Sequence, residues 1–141
     1  MTDQGLPGDV LGLLRETREV DIETRPAPDV PPHRTTIWVV VDPQDRAFIR
    51  AFRGPGSRWF REATAAPSVA LLVDGQRLEF ALEAATDPER VEACSKALMT
   101  KYAGATDLDG MLEDMNLPTT LELHPIPEPT AEQVARYTPS G

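Results

Sequence analysis

The residues best suited to chemistry form one basic run, Arg46-Ala-Phe-Ile-Arg50-Ala-Phe-Arg53-Gly54-Pro55-Gly56-Ser57-Arg58-Trp59-Phe60-Arg61. Five of the chain's 14 lysines and arginines fall inside it and no acidic residue does, although the formal net charge of the chain is -9. Crowded like charges repel, so a local excess of this kind suits an anionic ligand that neutralises it. Gly54-Pro55-Gly56 reads as a turn, and Ser57 stands where a helix N-cap belongs. Backbone N–H groups at a turn and a helix start, flanked by guanidinium groups, suit a phosphate or a carboxylate. The expected ligand contacts are therefore Arg50, Arg53 and Arg58 for an anionic tail, the amides of Gly54, Gly56 and Ser57 beside them, and Trp59 against a planar ring. The competing reading is a set of surface arginines paired with acidic side chains. Such exposed pairs contribute only about 0–1 kcal/mol each, against roughly 1.5–3 kcal/mol for a charge-assisted bond to a buried anion.

Other reactive types offer less. Trp59 and Phe60 are adjacent in a helical first turn and so point about 100° apart; Trp59 either stacks on a planar ligand or a second subunit, or covers the end of the core. Trp38 lies in an all-apolar run and is expected inside. His33 and His124 are far apart in sequence, without a cysteine or paired carboxylate at ligand spacing, so no metal site is expected. Cys94 is the only cysteine, which rules out an internal disulfide, and it falls on a helical apolar stripe as a small packing residue. Glu79 and Glu83 share one strand face, read as an outward face. Dinucleotide-binding, P-loop, nucleophile-elbow and zinc-protease signatures are all missing.

These residues need a scaffold. A chain of 141 residues with 40% hydrophobic residues supports one globular domain over 1–141 with its own core. Residues 1–8 read as a loose N-terminus and 126–141 as a C-terminal tail. A sequence pI near 4.6 argues against a general nucleic-acid or anionic-membrane surface. Residues 1–9 lack a basic start and an apolar core, and no run approaches membrane-spanning length, so the expected location is cytoplasmic.

Asp9 is placed to cap a short helix carrying Val10, Leu13 and Leu14. Glu19–Thr24 alternates as a half-buried strand. The proline-rich stretch Pro26–Pro32 is a connecting arm. Ile37–Val41 reads as one strand covered on both faces, Asp42-Pro43-Gln44-Asp45 as a turn, and Ala47–Phe52 as the returning strand. A helix follows over Ser57–Ala65. Val69–Val73 and a strand carrying Leu78, Phe80 and Leu82 form a hairpin about Asp74-Gly75. Asp87-Pro88 starts a helix with Val91, Cys94, Leu98 and Tyr102 on one stripe, closed by Gly104. A second short helix from Thr106 carries Leu108, Met111, Leu112 and Met115. Thr120–His124 reads as the last strand, and residues 130–137 as one or two helical turns. The sum is an α+β fold, a six-stranded, mainly antiparallel β-barrel rather than a one-sided sheet, with short peripheral helices.

The run Trp38-Val-Val-Val, then Phe48-Ile-Arg50-Ala-Phe-Arg53-Gly54 and Arg58-Trp59-Phe60-Arg61, resembles small bacterial proteins of the flavin-binding split-barrel superfamily. Ala66-Pro67-Ser-Val69-Ala-Leu71, Asp74-Gly75 and Asp87-Pro88 are similar to the same group, which includes pyridoxamine-phosphate-oxidase-like proteins and deazaflavin-dependent nitroreductases. The resemblance spans roughly residues 19–125. It implies that the barrel is a split β-barrel, in a homodimer with FMN or a deazaflavin in a groove between subunits, and it maps the cofactor contacts onto Arg50, Arg53, Gly54, Ser57, Arg58 and Trp59. The lysine common in the superfamily's loop has no counterpart here.

The expected function is a small flavin- or deazaflavin-binding oxidoreductase acting on a small organic molecule. Its expected partners are a second copy of the chain and a small ligand with an anionic group, with neither nucleic acid nor membrane among them. The alternatives are a non-catalytic dimeric binding module and a cofactor-independent enzyme on the same fold.

Overall fold

The computed structural model describes residues 5–27, 29–66 and 68–126. In chain order the elements are α1 (Gly8–Glu16), β1 (Val20–Thr24), β2 (His33–Ile37), β3 (Val39–Val41), β4 (Ala47–Ile49), α2 (Arg58–Ala65), β5 (Val69–Val73), β6 (Gln76–Ala84), α3 (Pro88–Lys101), α4 (Leu108–Met111), a 3-10 helix (Asp114–Thr119) and β7 (Leu121–His124). The helices expected over 130–137 lie outside the described residues. Among the described residues, no helix is long and apolar enough to cross a membrane.

The sheet has seven strands in the order β2-β1-β5-β6-β7-β4-β3, not six, and every pairing is antiparallel. Its two ends, β2 and β3, are consecutive in the chain and separated only by Trp38, so the sheet curls into a nearly closed barrel. The extra strand comes from the apolar run Ile37–Val41. Ile37 pairs with Val20 of β1, whereas Val39 pairs with Ile49 of β4. One run therefore serves both ends of the sheet, and the break between them carries no compositional mark.

The continuous apolarity of that run is real and has a structural cause. Val39 faces the barrel interior with Leu14, Val20, Ile22, Ile49, Leu71, Val73 and Leu123, while Val40 faces an outer layer with Phe48, Cys94, Leu98, Tyr102 and Met111. Successive strand residues point to opposite faces, so a strand packed on both sides has no polar position. α3 supplies the outer layer through the Cys94, Leu98 and Tyr102 stripe, all at most 2% exposed.

Local signals account for most boundaries. The Asp87 side chain accepts from the Arg90 amide (3.1 Å), Pro88 takes the first helical position, and Gly104 lies past the end of α3 at φ +85°. Asp74 and Gly75 both have positive φ (49° and 81°), as a two-residue type I′ hairpin turn requires. Asp42 closes the β3–β4 turn by accepting from the amides of Gln44 (3.0 Å) and Arg46 (2.8 Å). Three expectations shift. Pro7, not Asp9, holds the cap position of α1. The strand expected through Phe52 ends at Ile49, and the helix expected from Thr106 to Met115 divides into α4 and the 3-10 helix, leaving Met115 56% exposed.

Candidate functional site

The segment after β4 carries the basic run from Arg50 to Arg61, and the early end of that strand decides its layout. Arg50 turns inward and is only 1% exposed. Its guanidinium donates to Thr120 Oγ1 (2.9 Å), Ser95 Oγ (3.0 Å), Met111 O (3.1 Å) and Val91 O (3.1 Å). It thus ties α3, α4 and the approach to β7 to one charge. All four acceptors are neutral. Burial lowers the pKa of Arg50, yet a guanidinium stays protonated in proteins, so its charge remains buried without a carboxylate beside it.

Gly54 stands at φ +84°, a conformation that favours glycine, and a Cβ there would lie 3.0 Å from the flexible end of Met115, so conformation rather than space calls for glycine in this turn. The Gly54 and Ser57 amides donate within the turn, to Ala51 O (3.4 Å) and Gly54 O (3.2 Å). Ser57 occupies the N-cap position of α2, but its hydroxyl donates back to Gly54 O (3.0 Å), and no side chain caps the helix. The first-turn amides of α2 therefore keep the capacity to donate to an anion.

Arg50, Arg53, Ser57 and Trp59 line a single pocket of about 340 Å³. Trp38, Phe52, Thr35, Thr36, Ile37, Met111, Glu19 and Asp107 complete its wall. Four of the seven residues expected from sequence are thus brought together. Gly54, Gly56 and Arg58 are not in the wall. Arg58 lies beside it, its guanidinium 3.4 Å from Thr35 Oγ1. Trp38 packs against the outer core layer as expected, but it is only half-buried and also lines the pocket with Trp59, so both tryptophans of the chain reach one cavity.

The ion-pair pattern sets Arg50–Arg61 apart from most other arginines, including Arg46 at the start of the basic run, which is paired; Arg18, which donates to Lys101 O, shares their lack of a carboxylate partner among the described residues. Arg46 bonds Asp42 and Glu89, Arg77 bonds Glu23 and Glu79, Arg34 bonds Glu23, and Arg90 bonds Glu83, Asp87 and Glu122. Among the described residues Arg50, Arg53, Arg58 and Arg61 form no ion pair, and Arg53 has no hydrogen-bond partner either. The field of Arg58 reaches the Glu62 carboxylate. Burial pushes the Glu62 carboxyl up, but bonds from His33 and Thr24 and the field of Arg58 leave it below the ordinary value.

Two other clusters carry less. A larger cavity of about 620 Å³ lies between α3 and the β3–β4 turn, but its cations Arg15, Arg46 and Lys96 are paired with Asp45, Asp42, Glu89 and Glu92, and Lys101 donates to three backbone carbonyls. Glu83, Glu122 and His124 bring ligand atoms within 4.8 Å of one another. Arg90 Nη1 already stands 2.9 Å from an oxygen of each carboxylate, so the cluster holds its cation. Cys94 is fully buried, and burial pushes its thiol up to about 11, which removes it as a nucleophile.

Sequence reasoning missed Phe52, Thr35 and the acidic pair Glu19 and Asp107. They come from four separate segments, and only the fold assembles them.

The family described as "Uncharacterized protein conserved in bacteria (DUF2255)" matches residues 10–123. No curated protein matches the sequence. Among solved structures, a conserved hypothetical protein from Mycobacterium tuberculosis superposes at TM-score 0.62 and 17% identity, covering 92% of this chain and 85% of the other. The heme storage protein HutZ from Vibrio cholerae gives 0.61 at 13% identity, over 88% and 92%. A protein provisionally named a pyridoxamine 5'-phosphate oxidase, from Listeria innocua, gives 0.56 at 14% identity, over 86% and 92%. At such identities the likeness concerns the fold, and that fold is the split barrel.

Proposed function

This chain belongs to that bacterial family on a split-barrel fold, and from that premise we propose that the Arg50–Trp59 pocket binds FMN or a deazaflavin and that the protein is an oxidoreductase for a small organic substrate. The observation carrying the reading is the set of arginines at the pocket that have no ion-pair partner among the described residues, in a chain whose other arginines include many paired with carboxylates.

The residues present fit such a group. Phe52 and the part of Trp38 not covered by Tyr102 offer flat apolar surface to a ring system, while Trp59, only 6% exposed, packs in the barrel core and meets the pocket with little of its surface. Arg53 and Arg58, with the uncapped start of α2, would hold a phosphate at the rim. The buried charge of Arg50 would favour the electron-rich part of the ring from behind. A volume near 340 Å³ is at the lower end of ligand pockets, about 300–1,000 Å³, and suits a ring more than a ring with its whole tail. The described lining holds no histidine and no cysteine, so it offers neither imidazole nor thiolate to a heme iron. When bound, a flavin or deazaflavin supplies the hydride chemistry, and the chain supplies binding, orientation and exclusion of water. A second copy of the chain would cover the open side of the pocket, giving the homodimer implied by the resemblance.

The test is a fluorescence titration with FMN and, separately, with a deazaflavin. Because both tryptophans line the pocket, saturable quenching of protein emission at micromolar ligand supports the reading. Insensitivity to both ligands would leave the non-catalytic binding module as the better description.

A further inference from the structure

α4 is four residues long and spends one of them on Gly110. Glycine weakens a helix relative to alanine, so its presence in so short an element calls for a local cause. The cause is Phe52. A Cβ built on Gly110 would come within 2.3 Å of Phe52 Cε1 and 2.9 Å of its Cζ. The ring rests directly on the glycine backbone. Asn116 fastens the two segments behind it, its Nδ2 donating to Phe52 O (2.8 Å) and to Gly110 O (2.6 Å). Asn116 itself is 1% exposed, so the clip is fixed in the interior.

The ring held this way is 41% exposed and forms part of the wall that also contains Trp38 and Trp59. A large apolar side chain left open to water at a cavity wall, with its backbone clamped and its ring seated on glycine, is built to meet a flat apolar surface. We propose that Phe52, seated on Gly110, is the specificity-determining residue of the pocket: it selects the planar part of a ligand and screens the two tryptophans from solvent. The ligand half of this inference rests on the flavin reading above; the screening half does not.

The experiment uses a double-mutant cycle on the full chain, with Gly110→Ala, Phe52→Ala and the pair. Acrylamide quenching of tryptophan emission is measured without ligand, and riboflavin and FMN are titrated. In the absence of ligand, both single variants are expected to raise the quenching constant at least about twofold. Gly110→Ala is expected to weaken riboflavin and FMN equally, by about fivefold or about 1 kcal/mol, because the ring and not the tail is affected. In the Phe52→Ala background Gly110→Ala should then change nothing, since the group it collides with is gone. Unchanged quenching in both single variants, or the same effect of Gly110→Ala in both backgrounds, overturns the inference. Failure of the unmodified protein to bind either flavin, with the quenching cycle behaving as described, overturns the flavin reading and leaves the screening role standing. Should Gly110→Ala fail to fold, Phe52→Leu replaces it: loss of flat surface at similar volume must still weaken riboflavin binding and FMN binding by one factor, and equal binding by Phe52→Leu and the unmodified protein overturns the inference.

Discussion

The indole of Trp38 lies flat on the phenol ring of Tyr102, with centroids 3.9 Å apart and planes 2° from parallel. Trp38 is the residue through which the chain passes from one end of the sheet to the other, and Tyr102 closes α3. The stack therefore pins the barrel's closure to the helix that covers it. The Tyr102 hydroxyl completes the joint by donating to the carbonyls of Arg18 and Val39.

Replacing Trp38 should loosen both the closure and the pocket. Trp38→Leu is expected to lower unfolding stability by about 2 kcal/mol, below the 3–5 kcal/mol of a fully buried aromatic lost to alanine, because Trp38 is half-buried. Trp38→Phe, which keeps a stacking ring, should recover more than half of that. Urea denaturation of the three proteins decides it, and equal stability for the leucine and phenylalanine variants would show that the stack contributes nothing beyond area.

Arg53 and Arg50 should respond in opposite ways. Arg53→Ala removes a side chain without a described partner, so stability should stay within about 0.5 kcal/mol, while FMN binding weakens about tenfold for one lost charged bond and riboflavin binding stays unchanged. Arg50→Ala strands the acceptors on Thr120, Ser95 and Met111, each costing about 1–3 kcal/mol when buried and unmet. Thermal and urea midpoints should therefore fall sharply for Arg50→Ala and hold for Arg53→Ala.

Acid should weaken the fold partly through Glu83. Bonds from His124 and then Arg90 hold its carboxyl below the usual glutamate value of 4.5. A depressed folded pKa means that its contribution is present above 4.5 and disappears as the pH falls through the lower folded value. Glu83→Gln should flatten the stability profile only in that acidic range. Urea midpoints measured on both proteins across it give the answer, and parallel profiles would remove Glu83 from the acid response.

Cys94 provides a report on the outer layer. It is fully buried against α3's packing partners, and desolvation pushes its thiol up to about 11. A thiol-specific disulfide reagent at mildly alkaline pH should react only at the rate at which α3 detaches, and at once after denaturation. Prompt reaction of the native protein would contradict the packing of α3 on the barrel.

Much of this protein was legible in its residues because the signals were local. Asp87-Pro88, Asp74-Gly75 and the Cys94, Leu98 and Tyr102 stripe each placed an element, since capping, turn geometry and helical period act over a few residues. The basic run likewise marked Arg50, Arg53, Ser57 and Trp59, which the fold gathers at one pocket. Tertiary structure decided the rest. Whether Ile37–Val41 was one strand or two depended on its partners Val20 and Ile49, which lie elsewhere in the chain. Which arginines found carboxylates depended on distances between segments, and the pairing of Phe52 with Gly110 joins positions far apart in sequence. Composition and period describe what a residue prefers, whereas long-range contacts are set only when the whole barrel closes.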